Sequence, residues 1–114
     1  MNDLKDRTKQ FAIDVIRHCS TLPQKQEFWV ISKQLMRSAS SVGANYRSAC
    51  RAKSKADFIA KLSIVEEEAD ESMYWMELLE ALADDRNKEL LRLKDEANQL
   101  VSIIVASKKT ARNN

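Results

Sequence analysis

Residues that bend or interrupt the backbone are scarce in this sequence. Its 114 residues include one glycine, Gly43, and one proline, Pro23. So few breakers indicate few turns and long uninterrupted elements, which here means helices. A single glycine also excludes the glycine-rich loops that bind nucleotide phosphates. The length predicts one domain that spans residues 1–114.

Residues that serve metal and acid–base chemistry are equally scarce. The chain has one histidine, His18, and two cysteines, Cys19 and Cys50, with no C-x-x-C pair. Di-metal helical bundles use Glu-x-x-His motifs, but Val15 stands three residues before His18. Adjacent helical residues such as His18 and Cys19 point apart, so they do not form a nucleophile–base pair. The sequence therefore predicts no catalytic residues, no metal and no cofactor, and a protein that is not an enzyme.

Long apolar runs are absent too. No run approaches the ~20 residues that span a bilayer, and the first ten residues, MNDLKDRTKQ, lack a hydrophobic signal region. Hydrophobic residues make up 44% and charged residues 32%, which is typical of a globular chain rather than a disordered one. The cysteines fall within helical patterns and are expected to be reduced thiols. These features predict a cytoplasmic protein with no membrane partner.

Four stretches show the apolar spacing by three and four that is typical of amphipathic helices. They predict helices at about 4–20, 23–50, 54–83 and 88–108. Pro23 suits the first turn of the second helix, because a missing N–H costs nothing there. Ser54 followed by Asp57 is a capping-box pattern, and Asn87 suits the cap of the fourth helix. Short turns between these helices predict an all-α fold, an antiparallel up-down-up-down four-helix bundle.

The second helix carries a belt of small residues. The belt consists of Ser38, Ala39, Ser40, Ser41, Gly43 and Ala44. Glycine inside a helix costs roughly 1 kcal/mol relative to alanine. Gly43 therefore predicts the close approach of another backbone, with a local kink as the alternative. The hairpin of the second and third helices also predicts a register, in which Arg37 pairs with Glu68 or Glu71.

Charge is distributed unevenly, although the net charge is only +2. Acidic side chains dominate residues 66–85, whereas basic ones gather where the second helix turns into the third. We call this second group the basic elbow; its members are Arg47, Arg51, Lys53, Lys55 and Lys61. Such a cluster suits phosphate groups and predicts nucleic-acid binding, with Tyr46 beside it as a candidate for base stacking. The alternative is that these cations only complement the dipole of the second helix.

Apolar side chains exceed the needs of a minimal four-helix core. The third helix carries a second apolar strip, and large side chains widen the apolar face of the second helix. The excess residues are Trp29, Met36, Trp75, Leu78 and Leu82. An exposed patch of this kind predicts an oligomer interface. The alternative is that these side chains line a wide core.

The second and third helices also resemble a known family. The matching segments are 34–39 (QLMRSA), 41–47 (SVGANYR), 54–59 (SKADFI), 67–71 (EEADE) and 74–79 (YWMELL). In these segments the chain resembles the small bacterial four-helix-bundle proteins found in intervening sequences of 23S ribosomal RNA genes. That family is in turn similar to the accessory proteins of diversity-generating retroelements.

The resemblance implies a homo-oligomer, a closed ring of five subunits. The retroelement accessory proteins are pentamers with a basic surface that bind nucleic acid and a reverse transcriptase, so RNA or DNA and a protein are the implied partners. In a ring, every copy of the basic elbow would add to one surface. The predicted function is a non-enzymatic pentameric scaffold that binds nucleic acid. The alternative is a protein-interaction module without a nucleic-acid role, which uses the acidic face of the third helix.

Overall fold

The protein is a bundle of four helices. A computed structural model describes residues 3–83 and 87–114, and its helices are α1 (Asp3–Cys19), α2 (Gln26–Cys50), α3 (Lys55–Ala83) and α4 (Lys88–Arg112). Each helix packs against its neighbour in the chain, and α4 closes against α1. Among the described residues the diagonal pairs make no close backbone contact. The fold is therefore the predicted all-α four-helix bundle, with extents of 47 × 23 × 19 Å.

The core follows from the spacing of the apolar residues. Their recurrence at three and four places one side chain per turn on the inner face of each helix. The largest fully buried apolar side chains are Phe11, Val15, Leu35, Val42, Leu62, Val65, Met76, Leu79, Leu93, Leu100 and Ile104. Burial of each such side chain stabilises the fold by about 1.5–3 kcal/mol. All four helices contribute to this one core.

Two helix starts use the predicted capping residues. The Asn87 side chain accepts a hydrogen bond from the N–H of Leu90 at 3.0 Å. The Ser54 hydroxyl accepts from the N–H of Asp57 at 3.1 Å. The Asp57 carboxylate reaches back to the N–H of Lys53 at 3.2 Å, the residue before the cap. Both caps satisfy backbone donors that the helix itself leaves unpaired.

The second helix begins later than the sequence predicted. Lys25 is extended (φ −127°, ψ 151°) and precedes the first helical residue, and its carbonyl accepts from the N–H of Trp29 at 2.9 Å. The carbonyl of Pro23 accepts from the N–H of Lys25 at 2.9 Å, so Pro23 belongs to the preceding turn. The placement of Pro23 in the first helical turn was wrong. The Pro23 carbonyl accepts a hydrogen bond within the turn, ahead of the first helical residue.

The fourth helix runs past its predicted end at about residue 108 and continues to Arg112. The ammonium of Lys108 lies 2.8 Å from a carboxylate oxygen of Glu66 and 3.1 Å from the hydroxyl of Ser63. These contacts with α3 hold the last turns of α4 on the bundle. The contacts join residues far apart in the chain, which local periodicity does not reveal.

Gly43 lies where α2 meets α1. A Cβ atom added to Gly43 would stand 3.4 Å from the carbonyl carbon, the carbonyl oxygen and the Oγ1 atom of Thr8. Thr8 is fully buried, and its hydroxyl donates to the carbonyl of Leu4 at 2.7 Å. The predicted close approach is confirmed, and α1 supplies the neighbouring backbone.

Polar contacts join α2 to α3 in the predicted register. A guanidinium nitrogen of Arg37 lies 3.1 Å from a carboxylate oxygen of Glu68, and a second nitrogen pairs with Glu71. At the next residue of each helix, the hydroxyls of Ser38 and Ser72 lie 2.8 Å apart and are fully buried. The prediction that Arg37 pairs with Glu68 or Glu71 is confirmed, and both carboxylates take part.

Two ion pairs cross the fourth interface, between α1 and α4. Arg7 donates two hydrogen bonds to the two carboxylate oxygens of Glu96, at 2.7 and 2.8 Å. Arg92 lies 3.0 Å from Asp14. Burial raises the pKa of Asp14, but hydrogen bonds from Gln10 and Arg92 outweigh it and leave that pKa below its usual value.

Candidate functional site: the basic groove

A groove lined by cations runs between α1 and α2 near the elbow. Lys5 and Lys9 form its α1 wall, and Arg47 and Arg51 form its α2 wall. Each pair is spaced by four residues, so its members lie about 6 Å apart on one helical face. The cavity has a volume of about 410 Å³. Its floor is made of Ala12, Ser40, Gly43 and Ala44. We call this surface the basic groove.

The four cations of the basic groove are available to an external anion. All four side chains are exposed. Within residues 3–83 and 87–114 none of them forms an ion pair. Asp6 is the one carboxylate that lines the same groove. The groove is therefore electropositive, because four cations and one carboxylate line it among the described residues.

The structure divides the basic elbow. Arg47 and Arg51 face the groove, whereas Lys53 is exposed at the turn. The ammonium of Lys55 donates to the main-chain oxygen of Asn114 at 2.6 Å.

Lys61 is engaged within α3. It lies 3.1 Å from the carboxylate of Asp57 one turn earlier. Asp57 accepts hydrogen bonds from the N–H of Lys53 and the ammonium of Lys61, and both lower the pKa of its carboxyl, so its charge stays in place to pair with Lys61.

Tyr46 does not take the predicted stacking role. Its side chain is only 7% exposed and belongs to the core. The prediction of base stacking at Tyr46 was wrong, because the three- and four-residue spacing that builds the core continues through this residue.

Lys5 and Lys9 were missed by sequence reasoning. Their spacing by four was visible, but nothing in the local pattern pairs that face of α1 with Arg47 and Arg51. The two helices meet there because Gly43 admits the backbone of Thr8. The small-residue belt was the one sequence signal that pointed to this packing.

A second, apolar groove lies between the other halves of α1 and α2. Its volume is about 870 Å³, and Ile16, Leu22, Trp29 and Met36 are among its lining residues. The ammonium of Lys33 lies 5.2 Å from the centroid of the Trp29 ring, within the range of a cation–π contact.

Cys19 also lines this apolar groove. Burial raises the pKa of its thiol, while a hydrogen bond with Ser32 opposes that shift. The thiol therefore stays protonated at neutral pH and is a weak nucleophile.

The predicted oligomer-interface residues fall into two groups. Trp29 and Leu82 are exposed by 63% and 49%, and Met36 is half-buried in the apolar groove. Trp75 and Leu78 are half-buried and pack against the core. Trp75 also donates from its indole nitrogen to Glu71 at 2.9 Å.

Sequence reasoning missed other exposed apolar side chains. These are Ile16, Val30, Ile64, Tyr74, Leu91 and Val105. Helical spacing shows which residues share a face of a helix, but it does not show which of two apolar strips the neighbouring helices cover.

The acidic stretch of α3 is partly neutralised inside the bundle. Glu66, Glu68, Glu71 and Glu80 each face a cation of α2 or α4. Its exposed carboxylates without an ion pair among the described residues are Glu67, Asp70 and Glu77. Asp84 and Asp85 lie outside the described residues.

His18 is buried at the opposite end of the bundle, with 5% of its surface exposed. Its Nε2 atom has no hydrogen-bond partner among the described residues. Burial lowers the pKa of His18, and the charge of Glu89 partly opposes this shift. In the described part of the chain, no group of three or more His, Cys, Asp or Glu is placed to hold a metal ion. Across residues 3–83 and 87–114, no helix combines the length and the hydropathy of a membrane span.

The fold and its surfaces define a small helical-bundle protein whose binding features are grooves between helices. The chain matches the family model of the 23S rRNA-intervening sequence protein over residues 2–106. It belongs to that family, which confirms this part of the resemblance.

A solved structure supports the same assignment. It is a protein of unknown function from the S23 ribosomal protein family of Bacteroides thetaiotaomicron, 34% identical to this chain, with a TM-score of 0.84. The match covers 92% of this chain and 97% of that chain. Among curated proteins no match was found.

Proposed function

We propose that the protein is a non-enzymatic homo-oligomeric scaffold that binds RNA or DNA. The observation that carries this proposal is the concentration of exposed cations near the elbow. Lys5, Lys9, Arg47, Arg51 and Lys53 are all exposed there, and none forms an ion pair among the described residues. Such a cluster binds phosphates without regard to base sequence.

Binding is tested by fluorescence anisotropy with labelled single-stranded RNA and DNA over a salt series. The test variant reverses four charges, Arg47→Glu, Arg51→Glu, Lys53→Glu and Lys55→Glu. We expect the wild type to bind with an affinity that falls steeply with salt, and the variant to lose binding. A wild type that binds neither probe at low salt would overturn the proposal. Equal affinity of the variant would remove these residues from the site.

The proposed assembly is a closed ring of five subunits. Exposed Trp29 and Leu82, together with the apolar groove beside Trp29, supply surface that a monomer leaves in contact with water. Light scattering should give five times the chain mass of 13.1 kDa. Trp29→Glu should lower that mass, whereas Gln26→Glu, which adds a charge nearby without removing apolar surface, should leave it unchanged. A monomer mass for the wild type at micromolar concentration would refute the ring.

A second candidate function is a protein-interaction module. It is favoured by the outer face of α3, where exposed Ile64 and Tyr74 alternate with the carboxylates of Glu67, Asp70 and Glu77. These three have no ion pair within the described part of the chain. This face suits a basic protein partner, and a reverse transcriptase is the class that the family resemblance implies.

Affinity capture from nuclease-treated and untreated lysates separates the two functions. If a partner protein is still captured after nuclease treatment, and its capture is lost in the double variant Glu67→Lys with Asp70→Lys, the result supports the interaction module. Capture that depends on nucleic acid supports the scaffold. With either function, the protein is expected in the cytoplasm.

A further inference from the structure

We infer that the basic groove between α1 and α2, rather than the tip of the elbow, holds one phosphodiester strand of the nucleic acid. This inference rests on the proposed function and assigns its site. In this inference Lys5 and Lys9 of α1 bind phosphate, and the small residues of the floor leave space for the strand.

The distribution of cations favours the groove as the site of the strand. Lys5 and Lys9 face Arg47 and Arg51 across it, so cations flank an anion from both sides. At the elbow, Lys55 and Lys61 already have protein partners, namely Asn114 and Asp57. A phosphate bound at the tip would have to compete for these two cations, whereas the groove cations have no ion pair to break among the described residues.

The four cations of the groove lie close together, because each pair is spaced by four residues. The next cation along α2, Arg37, is paired with Glu68 and Glu71. Lys33, farther along the helix, lies against the Trp29 ring beside the apolar groove. The basic groove therefore gathers four cations within about one turn of each helix.

The floor offers little steric obstruction to a strand. Ala12, Gly43 and Ala44 have little or no side chain, and Ser40 presents an exposed hydroxyl. Long Lys and Arg side chains then stand on either side of a low floor. Helix axes that pack together lie about 8–10 Å apart, so the groove above their contact is narrow and suits one flexible backbone better than a rigid duplex.

The contacts available are all to phosphate. Lys5 and Lys9 supply point charges, and Arg47 and Arg51 supply planar forks that match phosphate oxygens. No aromatic residue lines the groove. The groove therefore binds a strand without preference for its bases.

The first test removes the α1 lysines. Lys5→Gln with Lys9→Gln should weaken binding of a labelled single strand by about tenfold at 0.1 M salt and reduce the slope of log K against log salt by about 1.4. The matched control is Lys25→Gln with Lys88→Gln, which removes two exposed cations at the opposite end of the bundle. The elbow variant, Lys53→Gln with Lys55→Gln, should cause the smaller loss.

Two further variants test the groove without removing a cation. Ala44→Leu fills the floor at an exposed helical position and should weaken binding severalfold, whereas Ala81→Leu on α3 should not. Asp6→Asn removes the one carboxylate of the groove and should tighten binding about twofold or more. A gain of affinity does not arise from unfolding, and circular dichroism confirms the fold of each variant.

The outcomes separate the site from the function. Failure of the wild type to bind any strand overturns the proposed function and this inference together. Binding by the wild type, with the α1 variant no weaker than its control and the elbow variant strongly impaired, overturns only the groove. Unchanged affinity of Ala44→Leu, or equal affinity for a duplex and a single strand, likewise overturns it.

Discussion

At Gly43 the backbone of α2 lies directly against α1 at Thr8. The 3.4 Å space beside Gly43 accepts a methyl group in ordinary contact, whereas a branched side chain would crowd Thr8. Alanine also restores helix propensity that glycine lacks. We therefore expect Gly43→Ala to raise the free energy of unfolding by about 0.5–1 kcal/mol, and Gly43→Leu to lower it by about 1–3 kcal/mol.

Urea unfolding followed by circular dichroism measures both Gly43 changes. Ala44→Gly, at the next and exposed position, is the control for propensity and should cost about 1 kcal/mol. A Gly43→Leu variant as stable as the wild type would show that the two helices separate there at no cost.

His18 makes stability depend on pH near neutrality. Burial holds its pKa in the folded state below the value of about 6.5 that it has in the unfolded chain. The unfolded state therefore binds more protons as the pH falls. The contribution of neutral His18 is fully present above pH ~6.5 and is lost progressively as the pH falls from there toward the folded pKa.

The expected result is a lower urea midpoint at about pH 5 than at about pH 7, and a flatter profile for His18→Gln. The carboxylates with lowered pKa values, Asp14, Asp57 and Glu89, lose their contribution only as the pH falls through and below about 4. An unchanged slope between pH 5 and 7 in His18→Gln would contradict the assignment to His18.

Among the elements, the end of α4 depends on one side chain. Lys108 is 13% exposed in its side chain and bridges to Glu66 and Ser63 of α3. Lys108→Gln should loosen the last turn of α4 and reduce the hydrogen-exchange protection of residues 109–112. Lys109→Gln, an exposed neighbour, is the matched control. Because Glu66 remains one-third exposed, the global loss should stay within about 1 kcal/mol.

The helices themselves were readable from the sequence, because spacing and caps are local. Asn87 caps α4 as predicted, and the position of Arg37 opposite two acids followed from the short hairpin. Contacts between distant segments were not readable. The ion pair of Lys108 with Glu66 of α3 holds the end of α4 in place. The packing of α1 on Gly43 brings Lys5 and Arg47 to one groove. Neither arrangement is apparent from the pattern of a single helix.

For the whole molecule, α1 and α4 make the fewest close backbone contacts of the four neighbouring pairs. The ion pairs Arg7–Glu96 and Arg92–Asp14 cross this interface, and their side chains remain partly exposed. Exposed or half-exposed pairs contribute at most about 1 kcal/mol each. The shortest helix, α1, should therefore open at a lower free energy than α2 or α3.

Native-state hydrogen exchange checks this order of opening. Arg7→Gln should lower the protection of α1 further and leave α3 unchanged, while Lys5→Gln on the same helix should have little effect on exchange. Equal protection of α1 and α3 in the wild type would contradict the order.

The described chain runs along the bundle four times, so its first and last described residues lie at the same end. This leaves the opposite end available for attachment of a label. Asp3 and Asn114 lie at the elbow end of the 47 Å bundle, where Asn114 accepts the hydrogen bond from Lys55. A dye attached in the turn at residues 20–25 would lie at the opposite end of the bundle, about 30 Å along α2 from Arg47, and would not compete with a bound strand.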